Sequence, residues 1–354
     1  MPEKPRRRPH PSRLPTIRDV SRLAGVSRMT VSRVIREPDR VSPDTRNRVN
    51  RAIADLGYVP DRAAGSLGSR RTGFIALILP TLTNANFAAV AHGLTEALRP
   101  ADFDLLIAYT DYSLAEEERQ LRNLLARRPE AIVLTGGVHA RTASRLLLAA
   151  GIPVIELADL PRQPIEHAVG FSNYQAGRTA ARYLLERGFS KIGAVASAPE
   201  GDVIDHRGEE RIRGFEDELR LAGRPTDLVL RHGHAPVSYD HGAAAIRILM
   251  ERDPRPDALF AVSDLSAVGV VLECQRLRVK VPQDLSIVGF GDFEISADIN
   301  PPLTTIHVDF RALGRTTGAV LLELLSGTGR DDAPRIIDVG LHIVERASVR
   351  AATC

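Results

Sequence analysis

The chain has 354 residues, 44% of them hydrophobic, which is too many for one small core, so two or three packing units are expected. Two cysteines, Cys274 and Cys354, exclude a disulfide framework and point to a reducing compartment, and no apolar run approaches the roughly 20 residues a membrane helix needs. The formal charge of +3 hides an asymmetry: residues 1–71 carry 17 Lys and Arg against 7 Asp and Glu, and residues 72–354 carry 30 against 37, so one end suits a polyanion and the rest does not.

The opening, MPEKPRRRPHPSRLP, has charge but no apolar segment behind it. Residues 1–15 therefore read as a disordered basic tail rather than a secretory signal, and the expected location is the cytoplasm, on the nucleoid. Residues 16–60 read as three short helices. Thr16 followed by Asp19 resembles a capping box, with Ile17, Val20 and Ala24 on one face and Gly25 as a break. Ser27 can cap a second helix whose Val31 and Val34 point inward. Ser42, Pro43, the stripe Val49, Ile53 and Leu56, and the stop at Gly57 define a third. Two helices joined by a glycine turn, with a third covering their shared face, make a helix-turn-helix.

In such a module the second helix enters the major groove with its N-terminal residues at the base edges. Arg28 and Met29 hold that place, and Arg33 lies more than a turn further along. Arginine forks onto guanine O6 and N7, and methionine can touch a thymine methyl. Ser27, Thr30 and Ser32 suit phosphate contacts or caps.

Residues 61–71, within YVPDRAAGSLGSRR, have the composition of a linker. From Phe74 the texture changes to short apolar runs: FIALILP, DLLIAYT, AIVLTGG, PVIELAD, KIGAVAS, DLVLRHG, ALFAVSD and LSIVGFG, separated by helical spacing. That alternation predicts an α/β effector domain over 72–354, built as two doubly wound parallel-sheet subdomains with a cleft at the carboxyl ends of the strands. The expected division is 72–172 with 304–332 for the first subdomain and 173–303 with 333–354 for the second.

The stretches TIRDVSRLAGVSRMTVSRVI and VSPDTRNRVNRAIADLGYVPDRAAGSL resemble the start of the lactose-repressor (LacI/GalR) family of bacterial transcription regulators. The resemblance continues through ALFAVSDLSAVGV, VPQDLSIVGFGDFE and PPLTTIHVDFRALG. It implies a homodimer on near-palindromic operator DNA and an effector domain like a periplasmic binding protein. It also implies a hinge helix that inserts Leu67, beside Ala64, into the minor groove, although Gly65 departs from the usual pattern and weakens helix formation there. The expected DNA-contact set is Thr16, Ser27, Arg28, Met29, Thr30, Ser32, Arg33, Asn50, Tyr58, Arg62, Ala64 and Leu67.

For the effector, the resemblance makes Arg211 in RIRGF the ligand-clamping arginine, and Arg207 lies one turn earlier. Asn84, Asn86 and Phe87 follow the first strand, and Glu156, Asn173 and Asp264 follow later ones. Many members carry Asp directly after GF to bind neutral sugar hydroxyls, whereas here Gly291 stands there and Asp292 follows. Loss of that carboxylate favours an anionic effector. The segments PTLTN, IPVIELAD, AVGFSNYQAG and ECQRL look most like the gluconate-responsive branch, so gluconate or a ketogluconate is expected, with a neutral sugar or a purine as alternatives. A repressor released by its effector is the default for sugar catabolism.

An enzyme is disfavoured: no GxxxxGK[ST] loop, no GxGxxG after the first strand and no GxSxG elbow occur. His232, His234 and His241 cluster without a cysteine or HExxH partner and read as a solvated loop, so neither metal nor cofactor is expected. A transport-type binding protein would share the cleft but would not need residues 16–67.

Overall fold

A computed structural model describes residues 14–60, 72–327 and 333–351, in two units divided at residues 72 and 73. The basic tail as far as residue 13 and the hinge residues Arg62, Ala64 and Leu67 lie outside the described residues.

In the first unit, α1 (Ile17–Ala24), α2 (Arg28–Arg36) and α3 (Pro43–Leu56) close over Val20, Ala24, Val31, Val34, Val49 and Ala52. The Asp19 carboxylate accepts from both the backbone N–H (2.9 Å) and the hydroxyl (2.6 Å) of Thr16, which fixes the start of α1. Gly25, at φ 64°, ends α1 with the left-handed turn that a side chain would oppose. Ser27 Oγ accepts from Thr30 N–H at 3.0 Å and opens α2. Past α3, Gly57 N–H reaches Ala54 O and Tyr58 N–H reaches Ile53 O, so the last carbonyls find donors.

The second unit holds two six-stranded sheets. The first has the order β11 (Ile336–Asp338), β5 (His167–Gly170), β4 (Val154–Leu157), β3 (Ile132–Thr135), β1 (Phe74–Leu79) and β2 (Asp104–Tyr109), all neighbours parallel. The second has the order β12 (His342–Val344), β10 (Thr304–His307), β9 (Ser286–Phe290), β8 (Ala258–Ala261), β6 (Ile192–Ala196) and β7 (Val229–Arg231), with only β12 antiparallel to its neighbour. Parallel sheets need cover on both faces. On the first, α4 (Ala85–Leu98) and α12 (Phe310–Ser326) bury Phe87, Val90, Leu94 and Leu313 against one face. On the other face, α5 (Leu114–Leu125) and α6 (Arg141–Ala149) bury Leu121, Leu124 and Leu147. The second sheet is covered by α7 (Asn173–Glu186) with α8 (His206–Leu221), and by α9 (Tyr239–Met250) with α10 (Asp264–Leu277).

The chain passes between the sheets after β5, between β10 and α12, and between β11 and β12. Two of the subdomain boundaries expected from the sequence therefore move. Thr304–His307 pairs with β9 and so belongs to the second subdomain, while Ile336–Asp338 pairs with β5 and belongs to the first. The cause is edge completion: each sheet had an open parallel edge whose backbone groups needed partners, and strands of four and three residues supply them. Phe171, at the first crossing, packs its ring 5.7 Å from Phe290 and 5.8 Å from Phe310, at the second, making one aromatic floor shared by both subdomains.

Candidate DNA-reading surface and effector cavity

On α2, Val31 and Val34 are buried, which turns the opposite face outward. Arg28 and Arg33 are exposed there and Met29 is 72% exposed, an unusual state for a long apolar side chain. Among the described residues neither arginine has an ion-pair partner, so both guanidiniums are available to an anion or a base edge. Ser27 and Thr30 share a hydrogen bond (2.9 Å) at the helix start, and Ser32 is half-buried. Asn50 is exposed on α3, and Tyr58 packs partly onto the core. Thr16 differs from the expectation: its hydroxyl hydrogen is committed to Asp19, so its first role is the cap.

In the second unit a cavity of about 450 Å³ opens between the subdomains. Its floor is the ring cluster Phe171, Phe290 and Phe310, and Ala158, Val262 and Ser263 bring to it the carboxyl ends of β4 and β8. Six of the predicted residues fall near or in it. Asn84, Asn86 and Phe87 come from the start of α4, and Arg207 and Arg211 from the first turns of α8. Asn173 lies behind Arg211: its Oδ1 accepts from Nη1 at 2.5 Å, while its Nδ2 donates to Ala158 O and Asp159 Oδ1. It orients the guanidinium from the crossing point of the chain.

The electrostatics are set by that arginine. Arg211 is 7% exposed, lies 4.2 Å over the Phe290 ring, and has a buried Nε–H with no hydrogen-bond partner among the described residues. Burial holds its pKa below the usual arginine value, against the pull of Asp205, whose Oδ2 is 3.9 Å from Nη2. Arg207 sits between the Phe87 and Tyr112 rings, 5.7 and 5.8 Å from their centroids. Burial first, then the Asp205 charge, pushes the Tyr112 phenol up, so it stays a neutral donor.

Three predicted carboxylates stand elsewhere. Glu156 shares the α5-side face of its strand with Val154, and there it accepts from Ile165 N–H (2.6 Å) and bonds His139 (3.2 Å). Asp264 is fully buried and accepts from Phe293 N–H, Ser296 Oγ and Thr305 Oγ, pinning the turn into α11 (Glu294–Asp298) to β10. Asp292 bonds Arg346 at 2.6 Å and His307 at 2.9 Å. All three have their oxygens taken by protein donors, so they are structural here. Gly291 adjoins the cavity through Asn86: its carbonyl accepts from Asn86 Nδ2 at 3.2 Å, and a Cβ there would lie 2.7 Å from that same nitrogen.

Sequence reasoning missed Asp205, Tyr112 and the phenylalanine floor. Asp205 was legible in principle, since it caps α8 three residues before Gly208 N–H. Tyr112 was not, because it arrives through a left-handed backbone at φ 65°. It also belongs to a strap across the cleft. Ile204 N–H donates to Tyr112 O, Ser113 pairs with Val203 in an antiparallel bridge, and Asp202 accepts from Ser113 Oγ (2.6 Å) and Ala115 N–H. The histidine loop is otherwise engaged: His234 meets Glu200 and His241 accepts from Ser238 N–H. Among the described residues no helix is long and apolar enough to cross a membrane.

A helix-turn-helix with an exposed basic reading face, in one chain with a two-subdomain sensor built around a cavity, defines a ligand-responsive DNA-binding regulator. Residues 16–61 match the model for bacterial regulatory proteins of the lacI family, and residues 181–349 match the periplasmic binding protein-like domain. The chain is 34% identical over 335 residues to the HTH-type transcriptional regulator GntR of Pseudomonas aeruginosa, covering 94% of this chain and 95% of that one. A LacI-family transcriptional regulator from Silicibacter pomeroyi has a similar structure, with a TM-score of 0.86 at 30% identity over 95% of this chain and 99% of that one. The transcriptional regulator CelR, in complex with cellobiose, is similar at a TM-score of 0.67 and 31% identity, over 94% and 99% of the two chains. The chain belongs to the LacI family: it is a DNA-binding transcriptional regulator with an effector-binding domain.

Proposed function

We propose that the protein is a homodimeric operator-binding repressor whose effector is a sugar acid, with gluconate or a ketogluconate as the first probes. The observation that supports this reading is the buried Arg211 guanidinium, its Nε–H unpaired among the described residues, one turn from Arg207 in the same cavity. A carboxylate would accept from the arginine fork with two parallel hydrogen bonds, stronger than neutral ones. Asn84, Asn86 and Asp205 supply the donors and acceptors that a hydroxylated chain needs, and the phenylalanine floor excludes water. Gly291 removes the carboxylate that would repel an acid.

A neutral sugar is the second reading. Asp205 already lies near Arg211 as a counter-ion, and the similar CelR binds the neutral disaccharide cellobiose.

The mechanism is a population shift. The cavity has walls from both subdomains, so its occupant favours one closure of the cleft, and operator affinity changes by the effector's differential affinity for the two states. Calorimetry with gluconate, ketogluconates and neutral sugars tests the class, and a mobility shift with and without the bound acid tests the coupling. Binding of neutral sugars alone defeats the acid assignment. Release of operator on addition of the acid identifies it as an inducer.

A further inference from the structure

A second pocket, open to solvent and spanning about 350 Å³, adjoins the first and shares Arg207 and Tyr112 as the common wall. It too lies between the subdomains: Thr135, Glu117 and Val138 come from one side and His206 from the other. Its polar groups are incompletely used. Glu117 Oε1 bonds His139 at 2.8 Å, and among the described residues Glu117 Oε2 and the Thr135 hydroxyl have no hydrogen-bond partner. The Nε2 atom of His206 is buried and also without one. Burial first, and then the Arg207 charge, holds that imidazole below its ordinary pKa, so it offers a neutral nitrogen. Glu117 Oε2 and the Thr135 hydroxyl can accept a ligand's hydroxyls in place of water, and the buried, unpaired His206 Nε2 carries a free-energy cost that such a hydroxyl would recover. Among the described residues Glu117 is the one carboxylate in the lining, and its open oxygen accepts from a hydroxyl but not from a phosphate dianion placed against it, while Arg207 stands at the shared wall.

We infer that the effector has two units: a carboxylate-bearing sugar acid at Arg211, and a neutral hydroxylated ring linked to it that occupies the chamber of Thr135, Glu117 and His206. The ligand class is thus a glycosylated sugar acid with one negative charge. This rests on the acid reading of the first chamber and extends it.

The test is calorimetry on the full chain with gluconate, 4-O-glucosyl-gluconate, 6-phosphogluconate and cellobiose. The glucosyl acid is expected to bind about 10-fold tighter than gluconate, from two or three added hydrogen bonds. Val138→Trp narrows the second chamber at a position 46% exposed, where added bulk does not strain the core. It should bring the glucosyl acid down to the level of gluconate while gluconate itself changes by no more than about 2-fold. Thr135→Val, which keeps the shape and removes the hydroxyl, should weaken only the glucosyl acid. If gluconate binds as tightly as the glucosyl acid, if either variant weakens both acids alike, or if the phosphorylated acid matches the glucosyl one, the second-chamber assignment is overturned while the acid reading stands. Binding of cellobiose with exclusion of every acid overturns both.

Discussion

Arg28 and His139 show two opposite uses of charge. Arg28 is exposed and without an ion-pair partner among the described residues, so its removal costs the fold almost nothing. Arg28→Ala is expected to lose about 1–3 kcal/mol of operator affinity and relax preference at one base pair, with stability changed by under about 0.5 kcal/mol. Mobility shifts against single-base operator variants, with a thermal melt, check both parts. His139 has a side chain only 5% exposed, and its two nitrogens bond Glu117 and Glu156, an arrangement that needs both to donate and hence an imidazolium. Burial alone would lower its pKa, but the hydrogen bonds and charges of the two carboxylates outweigh it and raise the value from 6.5 to about 9. Because the folded value is raised, the stabilisation is complete below about pH 6.5 and disappears as pH rises through about 9. The melting temperature of the effector domain should fall across that window. His139→Gln should remove about 3 kcal/mol at pH 6 and flatten the profile. An equal pH slope in the variant would assign it to other groups.

At the scale of elements, helix packing and ligand binding meet in the α7–α8 pair. Gly177 on α7 and Gly214 on α8 each lie against the other helix's backbone, and a Cβ on Gly177 would fall 1.8 Å from the carbonyl oxygen of Arg211. The close approach is what brings Arg211 within reach of Asn173. Reciprocal glycines recur between α4 and α12 (Gly93, Gly314) and between α9 and α10 (Gly242, Gly269). Gly177→Ala must push α8 away, so it should cost about 1–3 kcal/mol by overpacking. It should also weaken effector binding, although residue 177 does not line the cavity. A melt and calorimetry on the same preparation separate the two effects. Unchanged affinity in a folded variant would mean that α8 tolerates the shift. The helical-period reading could see small residues on these helices, but not which backbone they would meet.

At the scale of the effector domain, hydrogen bonds among the described residues that span the cleft include Asn86 to Gly291 and the strap at Tyr112, Ser113 and Asp202. The hydrogen bond from the Ser113 hydroxyl, then that from Ala115 N–H, holds the Asp202 carboxyl below its ordinary pKa, as expected for a carboxylate receiving donors across the gap. Asp202→Ala removes contacts specific to this closure, and effector affinity should fall by about 5-fold. By linkage, operator binding without effector should shift toward the state the effector disfavours. Calorimetry and mobility shifts on the same variant check it, and unaltered values in both would show that the strap does not bias closure.

Sequence alone determined the parts whose physics is local. Caps at Thr16 and Ser27, stops at Gly25 and Gly57, and the outward placing of Arg28, Met29 and Arg33 follow from neighbours a few residues away. So did the alternation of apolar strands and helices that makes two parallel sheets. Tertiary structure alone decided the rest. The short strands Thr304–His307 and Ile336–Asp338 took their sheets from whichever open edge they met, β9 some 16 residues earlier for one and β5 168 residues earlier for the other. Glu156, Asp264 and Asp292 were drawn off by donors 9 to 54 residues distant, and Asp205 with Tyr112 joined the cavity instead. A carboxylate's role depends on which donors reach it first, and that is settled by three-dimensional proximity rather than by the residues beside it.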